Sequence, residues 1–251
     1  MKLVLLGSGA LAELGRDYVS LLVEKDGSLL LFDCGGSPIR KILEAGFDPL
    51  KLHALFVTHS HTDHVYAFPV IIHELFLRGR REPLLVFGPE EALTKLHSLL
   101  KLFFEGNEEF FPVEFIPTVQ GKEIGIAKDL KVMPAPVEHS VPTFAYKVKE
   151  GERAFVYAPD LGPESNLDFA RGSDILFIDS TFLDDEERAR RKGHMTLFGS
   201  LKLAQAAGVK KLVLIHFGLD EELRNYLKSE RNFKNLPFEV FLGRDFLSFE
   251  L

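Results

Sequence analysis

Short apolar runs alternate along the chain with segments of mixed polarity, and this alternation predicts an α/β protein. The apolar runs are rich in Leu, Val, Ile and Phe, as strands are. We expect strands at residues 3–6, 19–23, 29–32, 54–57, 84–87, 154–157, 175–178 and 212–215. Several more strands are expected between residues 111 and 148, and two short ones at the end of the chain.

Helical patterns follow most of these runs. We expect helices at residues 37–45, 65–77, 89–104, 184–192, 196–207 and 221–228. Pro89 and the acids after it suit a first helical turn, and Thr196 is a helix-capping residue. Strands in both halves, flanked by helices, predict two sheets packed face to face with helices outside. No linker-like stretch divides the chain, so we expect a single domain over residues 1–251.

The bulk composition narrows the possible functions. The chain has 251 residues, of which 46% are hydrophobic, and this suffices for one large core. A net charge of −7 argues against non-specific binding of nucleic acid, although it leaves room for a local basic patch. Cys34 is the only cysteine, so no intrachain disulfide forms and a cytoplasmic location is expected. No apolar stretch approaches the roughly 18 residues of a membrane span, so no membrane partner is expected.

The strongest chemical signal is a cluster of imidazoles and a carboxylate directly after the strand predicted at 54–57. Its sequence is Thr58-His59-Ser60-His61-Thr62-Asp63-His64. A strand end places residues i and i+2 on one side, so His59 and His61 can share a metal ion. The turn that follows can direct Asp63 and His64 at a second ion. Two close ions need more ligands than one loop provides, so other loops must contribute.

Three further residues occur in the same setting. His139, Asp160 and His216 each lie just beyond a β-like run, where loops gather at one edge of a sheet. The remaining histidines with no ligand spacing are expected to be ordinary surface or core residues; they are His53, His73 and His97.

The pattern His59-x-His61-x-Asp63-His64 resembles the signature of the metallo-β-lactamase superfamily. The segments 5–9 and 31–35 and the later His139, Asp160 and His216 also match that family in order and context. The resemblance implies an αββα four-layer sandwich with two mixed sheets and helices on the outer faces. It implies one metal held by His59, His61 and His139, and a second held by Asp63, His64 and His216. Asp160 would bridge the two ions, and Asp63 would also belong to the catalytic set.

The resemblance further implies that a hydroxide between two divalent ions is the nucleophile. Zinc is the default for so many imidazoles, and manganese or iron could replace it. After the two aspartates and the hydroxide are counted, about one positive charge remains, which complements a phosphodiester. We therefore expect a phosphodiesterase.

A second signal is Gly193-His194-Met195-Thr196. It resembles the Gly-His-Ser-Thr segment of ribonuclease Z, the tRNA 3′-processing endonuclease, and of related phosphodiesterases. By that resemblance His194 would contact the phosphate or act as general acid, and Asp179 would orient it. The substrate would then be RNA, with a tRNA precursor as one case, or a cyclic nucleotide or other small phosphodiester.

Several features depart from ribonuclease Z. The basic arm that grips tRNA is not recognisable, and the basic cluster Arg78-Gly79-Arg80-Arg81 is expected to be a solvated helix end. The aromatic and acidic run at 103–111 suggests packed phenylalanines, a lid or a dimer contact, and a homodimer is possible. Residues 16–20 also differ from the usual start motif.

Other functions remain open. The alternative enzyme is a thioester or lactone hydrolase of the glyoxalase II type, against which His194 argues. A β-lactamase is disfavoured because Asp160 stands where those enzymes usually have cysteine. A non-catalytic binding member of the superfamily is a remote alternative, since such members typically lose ligands.

Overall fold

The computed structural model of the protein describes residues 1–104, 110–228 and 233–251. The chain forms two compact units. The first comprises residues 1–8, 12–119 and 244–250, and the second comprises residues 9–11, 120–243 and 251. The sequence-based expectation of a single domain over 1–251 remains a proposal.

Each unit contains one seven-stranded mixed sheet. The strands are β1 (Lys2–Gly7), β2 (Ser20–Lys25), β3 (Ser28–Phe32), β4 (Leu52–Phe56), β5 (Leu84–Gly88), β6 (Val113–Pro117), β7 (Ile124–Ala127), β8 (Leu130–Val137), β9 (Thr143–Glu150), β10 (Arg153–Ala158), β11 (Ile175–Asp179), β12 (Lys211–Ile215), β13 (Glu239–Leu242) and β14 (Ser248–Glu250). The order in the first unit is β14-β1-β2-β3-β4-β5-β6, and in the second it is β13-β12-β11-β10-β9-β8-β7.

Seven α-helices accompany the sheets in the described ranges. They are α1 (Pro38–Glu44), α2 (Thr62–Val65), α3 (Phe68–Leu77), α4 (Glu90–Phe104), α5 (Glu186–Lys192), α6 (Leu197–Ala207) and α7 (Glu221–Leu227). Single 3₁₀ turns lie at Pro49–Lys51 and Asp168–Ala170. These elements confirm the predicted α/β class and the two mixed sheets.

Local chemistry explains where the helices begin and end. The side chain of Thr196 accepts a hydrogen bond from the Gly199 amide and so caps α6, as expected. The helix predicted over 65–77 begins later than expected: α3 covers Phe68–Leu77, whereas α2 ends at Val65. Pro69 lies in the first turn of α3 and has no amide to donate to the preceding turn, so a new helix begins there.

The two sheets share a pattern of strand directions. In the first unit β3, β4, β5 and β6 run parallel, and in the second β10, β11, β12 and β13 do so. The carboxyl ends of parallel strands meet at one edge of a sheet, where ligand sites commonly lie. Each sheet therefore gathers the loops that follow its parallel strands at one edge.

Each unit has its own apolar core. Side chains from β3 and β4 pack with α3 in the first unit, with Leu31, Leu55 and Phe68 fully buried. In the second unit β11 and β12 pack with α6. Burial of each such side chain contributes roughly 1.5–3 kcal/mol. Among the described residues, no helix combines the length and apolar character needed to cross a membrane.

Candidate metal centre

The histidine motif of the first unit lies in the loop and short helix that follow β4. His59 and His64 are fully buried, whereas His61 is partly exposed. The ring atoms His59 Nε2 and His61 Nδ1 lie 2.9 Å apart. His64 Nε2 lies 3.5 Å from a carboxylate oxygen of Asp63. The four side chains therefore form two pairs of potential metal donors.

Asp33, which directly follows β3, fixes two of these histidines. Its carboxylate accepts hydrogen bonds from the Thr58 amide at 2.8 Å and from His64 Nδ1 at 2.8 Å. The Thr58 hydroxyl lies within 3.0 Å of both Asp33 and His59 Nδ1. If this hydroxyl donates to the carboxylate, it accepts from His59, and Nε2 of both histidines is left to bind a metal.

The backbone conformation around Asp33 allows its carboxylate to reach Thr58 and His64. Asp33 has a φ of 57°, a left-handed conformation that Asp tolerates better than most residues. The neighbouring Gly35 lies so close to the Asp63 carbonyl that a Cβ there would collide with it. The amide of Cys34 donates to the His64 carbonyl at 2.7 Å and ties the two loops together.

In the second unit, candidate residues follow the ends of three adjacent strands. Asp160 comes after β10, Asp179 ends β11, and His216 comes after β12. His139 follows β8, which runs in the same direction as β10, since each is antiparallel to β9. The parallel pairing thus places four candidates, far apart in sequence, at one sheet edge.

Asp160 is the centre of this group. One of its carboxylate oxygens lies 2.9 Å from His216 Nε2, and the other lies 3.5 Å from His139 Nε2. Asp160 and His216 are both at most 3% exposed. The opposite nitrogen of His139 donates to the Gly193 carbonyl at 2.6 Å, so Nε2 is again the available donor atom. Two imidazoles and one carboxylate therefore converge within the unit.

His194 lies next to this group and pairs with Asp179. His194 Nδ1 and the Asp179 carboxylate are 2.8 Å apart. The His194 ring stacks on His216 with centroids 5.1 Å apart. Asp160, Asp179, His194 and His216 each offer an atom within 4.8 Å of the others.

The pKa of His194 is raised above its usual value. Burial opposes protonation of the ring, but the charge of Asp179 and its hydrogen bond, with Asp160 adding to them, outweigh burial. A histidine whose pKa is raised by neighbouring buried carboxylates is suited to donate a proton or to contact an anion.

Thr181 links this pair to His216 and was not recognised in the sequence. Its hydroxyl lies 2.7 Å from the second carboxylate oxygen of Asp179 and 3.1 Å from His216 Nδ1. A hydroxyl that donates to Asp179 accepts from His216 and leaves His216 Nε2 as the donor atom. His216 itself has a φ of 60°, a strained conformation of the kind found at functional sites.

The three histidines that were not expected to bind a metal lie outside the candidate ligand groups. His73 stacks on Phe104, and His97 packs edge-on against Phe115. His53 is an exposed residue of β4. Within the described residues, no group of potential metal ligands includes any of them.

The expectation for the cluster Arg78-Gly79-Arg80-Arg81 is wrong at Arg80. This side chain is 5% exposed, and it donates to the carbonyls of Glu82, Pro83 and Leu50. It is therefore a structural residue. Of the aromatic run 103–111, residues 105–109 lie outside the described residues, and Leu102 and Phe103 are exposed.

Comparisons with known proteins agree with this geometry. The chain is 26% identical to a ribonuclease Z of Methanocaldococcus jannaschii, over all of this chain and 97% of the relative. It is 28% identical to a ribonuclease Z of Methanothermobacter thermautotrophicus, over 86% of each chain.

Solved structures share the fold. The metallo-β-lactamase fold protein YhfI of Bacillus subtilis matches with a TM-score of 0.82 and 20% identity, over 100% of this chain and 98% of the other. The short form of human tRNase Z matches with a TM-score of 0.81 and 20% identity, over 100% of this chain and 99% of the other. Zinc-bound PqqB of Methylobacterium extorquens matches with a TM-score of 0.77 and 20% identity, over the whole of both chains.

These likenesses confirm the metallo-β-lactamase fold implied by the histidine motif. The family profile described as "Beta-lactamase superfamily domain" matches residues 30–217, which include the histidine motif, Asp160, His194 and His216. The chain therefore belongs to the beta-lactamase superfamily.

Proposed function

We propose that the protein is a metal-dependent phosphodiesterase that cleaves RNA in the manner of ribonuclease Z. The observation that carries this proposal is the hydrogen-bonded pair Asp179–His194 next to Asp160 and His216. A protonated imidazole beside metal donors suits a phosphoryl oxygen or a leaving group. The similarity to ribonucleases Z, which in one case extends over the whole chain, supports RNA as the substrate.

The donor set fits divalent metal ions. Imidazole nitrogens dominate, each with its other nitrogen held by a protein group, and this favours zinc, with manganese or iron as alternatives. Following the family pattern, His59, His61 and His139 would hold one ion, and Asp63, His64 and His216 the second. Asp160 would bridge them. The likeness to a zinc-bound protein of the same fold supports the choice of zinc.

The bound ions and the chain's own residues would then have separate roles in the reaction. Bound ions would lower the pKa of a water molecule and stabilise charge on the phosphoryl group. Asp179 accepts from His194 Nδ1, so His194 would donate its Nε2 proton to the leaving oxygen. Asp63 would be a metal ligand and, with His194 and Asp179, one of the proposed catalytic residues.

The first experiment pairs elemental analysis with three chromogenic substrates: bis(p-nitrophenyl) phosphate, a thioester and a β-lactam. We expect about two metal ions per chain and turnover of the diester. Thioester turnover alone would contradict the proposal and indicate an enzyme of the glyoxalase II type. Metal without turnover of any substrate would indicate a binding protein.

A substitution tests the role of His194 directly. We expect His194→Ala to lower diester turnover by about 100-fold at unchanged metal content, because a general acid contributes roughly 10²–10⁴-fold. Turnover within about threefold of wild type would contradict this role. The matched control is His73→Ala, which removes a histidine of α3 outside the ligand groups.

We also propose a cytoplasmic location and a homodimer. Cys34 is the chain's only cysteine and is buried as a free thiol, which suits a reducing compartment. The exposed Leu102 and Phe103 of α4 support an interface. Sedimentation at equilibrium tests the dimer, and a monomer at micromolar concentration would contradict it.

A further inference from the structure

Helix α5 has a divided charge, with acids at its start and bases at its end. Glu186 and Glu187 lie in the first turn, and Arg190, Arg191 and Lys192 lie in the last. The basic end leads into Gly193, which has a φ of 71° and turns the chain directly to His194. The bases therefore lie at the end of the helix that leads directly to the candidate catalytic histidine.

Contacts place Arg188, one turn earlier, close to this histidine as well. The Arg188 guanidinium lies 4.6 Å from the centre of the Phe182 ring. The same ring meets His194 edge-on, with centroids 6.3 Å apart. One aromatic side chain thus contacts both the arginine and the histidine.

The bases of α5 are available to a ligand. Arg191 and Lys192 are exposed, and neither makes an ion pair or side-chain hydrogen bond within the part of the chain that is described. Arg190 pairs with Glu164 at 2.9 Å, but both side chains are more than half exposed, and such pairs are worth only about 0–1 kcal/mol. Arg188 also has an ion pair, with Asp220 at 3.9 Å, and its own side chain is half exposed. A polyanion can therefore bind here without breaking a strong interaction.

The other basic cluster of the sequence, Arg78-Gly79-Arg80-Arg81, offers fewer available bases. Arg80 is buried against backbone carbonyls, and Arg78 is paired with Glu74 at 3.2 Å. The chain as a whole carries a charge of −7, which repels a polyanion. The three consecutive bases at the end of α5 are therefore the better candidates for contacts to a phosphate backbone.

We infer that Arg188, Arg191 and Lys192 form a docking surface for an RNA strand, binding phosphates that flank the scissile one. The inference rests on the proposed RNA-cleaving function, and it assigns residues outside the candidate metal centre to binding of the RNA strand. A cyclic or small diester has no flanking phosphates to reach these side chains. Basic residues at the end of a helix also complement the helix dipole, so the experiment must separate binding from helix stability.

The salt dependence of RNA binding distinguishes phosphate contacts from an effect on helix stability. The variant is Arg191→Ala/Lys192→Ala, and the probe is a labelled phosphorothioate RNA strand, which keeps the backbone charges and resists hydrolysis. Each phosphate contact contributes about 0.7 to the slope of log Kd against log salt for single strands. We expect the metal-loaded variant to lose about 1.4 from that slope and to bind about tenfold or more weakly at roughly 0.1 M salt.

The matched control is Lys122→Ala/Lys128→Ala. These exposed lysines flank β7, which lies four strands away from β11 in the same sheet. The control also removes two positive charges, and we expect it to change the slope far less. An equal change in both double variants, or no change in either, would overturn the inference.

Turnover of bis(p-nitrophenyl) phosphate by the same preparations separates this inference from the proposed function. We expect the α5 variant to lose at least about tenfold more kcat/KM on RNA than on the small diester. If wild type turns over the diester but the α5 variant binds RNA as wild type does, the docking surface is wrong and the phosphodiesterase stands. If wild type turns over no diester, the proposed function itself fails.

Discussion

At the scale of single residues, Asp179 binds two partners through its two carboxylate oxygens. One oxygen accepts from the Thr181 hydroxyl at 2.7 Å, and the other pairs with His194 at 2.8 Å. The carboxylate is fully buried, so its charge acts on His194 with little screening by water. This explains why the pKa of His194 is raised although burial alone would lower it.

Asp179→Asn should therefore change the pH dependence of the reaction. A general acid works only while protonated, so activity is lost as the pH rises through the pKa of His194. Asn removes the charge that raises this pKa, and the alkaline limb of kcat/KM should move to lower pH. We expect about a tenfold to 100-fold loss near pH 8 and a smaller loss at acidic pH.

The control for that profile is Asp174→Asn, at the other end of β11. Asp174 accepts from the Ala154 amide and pairs with Lys210, away from the histidines. Its substitution should leave the alkaline limb in place. An unshifted limb in Asp179→Asn would show that Asp179 does not set the protonation of His194.

Thr181 gives a second test at this scale. Thr181→Val keeps the shape of the side chain but removes the hydroxyl that contacts His216 Nδ1 and Asp179. Groups that orient a metal-binding histidine typically contribute 10- to 100-fold to metal affinity, so we expect about a tenfold loss. Competition with a chromogenic chelator measures it. Thr181→Ser should restore most of the affinity, and equal losses in both variants would contradict a role for the hydroxyl.

At the scale of elements, the end of α5 determines the geometry around two histidines. Gly193 ends the helix in the left-handed region, and a Cβ there would lie 2.9 Å from His139 Nδ1. Its carbonyl accepts the hydrogen bond from that same nitrogen. The helix end thus supports His139 on one side and leads to His194 on the other.

We expect Gly193→Ala to lower metal content and diester turnover as well as stability. Gly208 offers a matched control, because it ends α6 with a φ of 64° but has nothing within 4 Å of an added Cβ. Both variants should lose about 1–2 kcal/mol of stability from left-handed strain, measured by urea unfolding. Only Gly193→Ala should lose metal by elemental analysis. Equal metal content in the two variants would contradict this role.

The same elements show what the sequence could predict. His139, Asp160 and His216 were recognisable because each follows a short apolar run, and strand ends carry functional side chains in such sheets. Asp33 and Thr181 follow similar runs, but neither residue type signals a partner by itself. Their hydrogen bonds depend on strand pairing between segments 25 and 35 residues apart, which a local pattern does not contain.

Two misjudged segments have different physical causes. The helix expected from residue 65 begins only at Phe68, because Pro69 favours the first turn of a helix, a rule of local chemistry that the apolar pattern concealed. Arg80 was taken as solvated, yet it is buried, because its guanidinium supplies the donors that carbonyls of neighbouring loops require. The strand and helix positions were otherwise predictable, since periodicity and capping are local.

At the scale of the whole molecule, each compact unit has its own group of proposed metal ligands. His59, His61, Asp63 and His64 belong to the first unit, whereas His139, Asp160 and His216 belong to the second. Metal binding should then stabilise the chain as a whole, because a ligand that binds only the folded state adds RT ln(1 + [L]/Kd). Saturation at about 1,000 times Kd adds roughly 4 kcal/mol, which is about 8–16 °C in Tm for a protein of this size.

Removing metal with a chelator should reverse that gain, and ligand variants should show how the gain is shared. We expect His59→Ala and His216→Ala each to lower metal content and to reduce the metal-dependent rise in Tm. The variant His97→Ala, outside the ligand groups, should keep both. A His59→Ala protein that retains the full complement of metal and the full rise in Tm would contradict the assignment of His59 as a ligand.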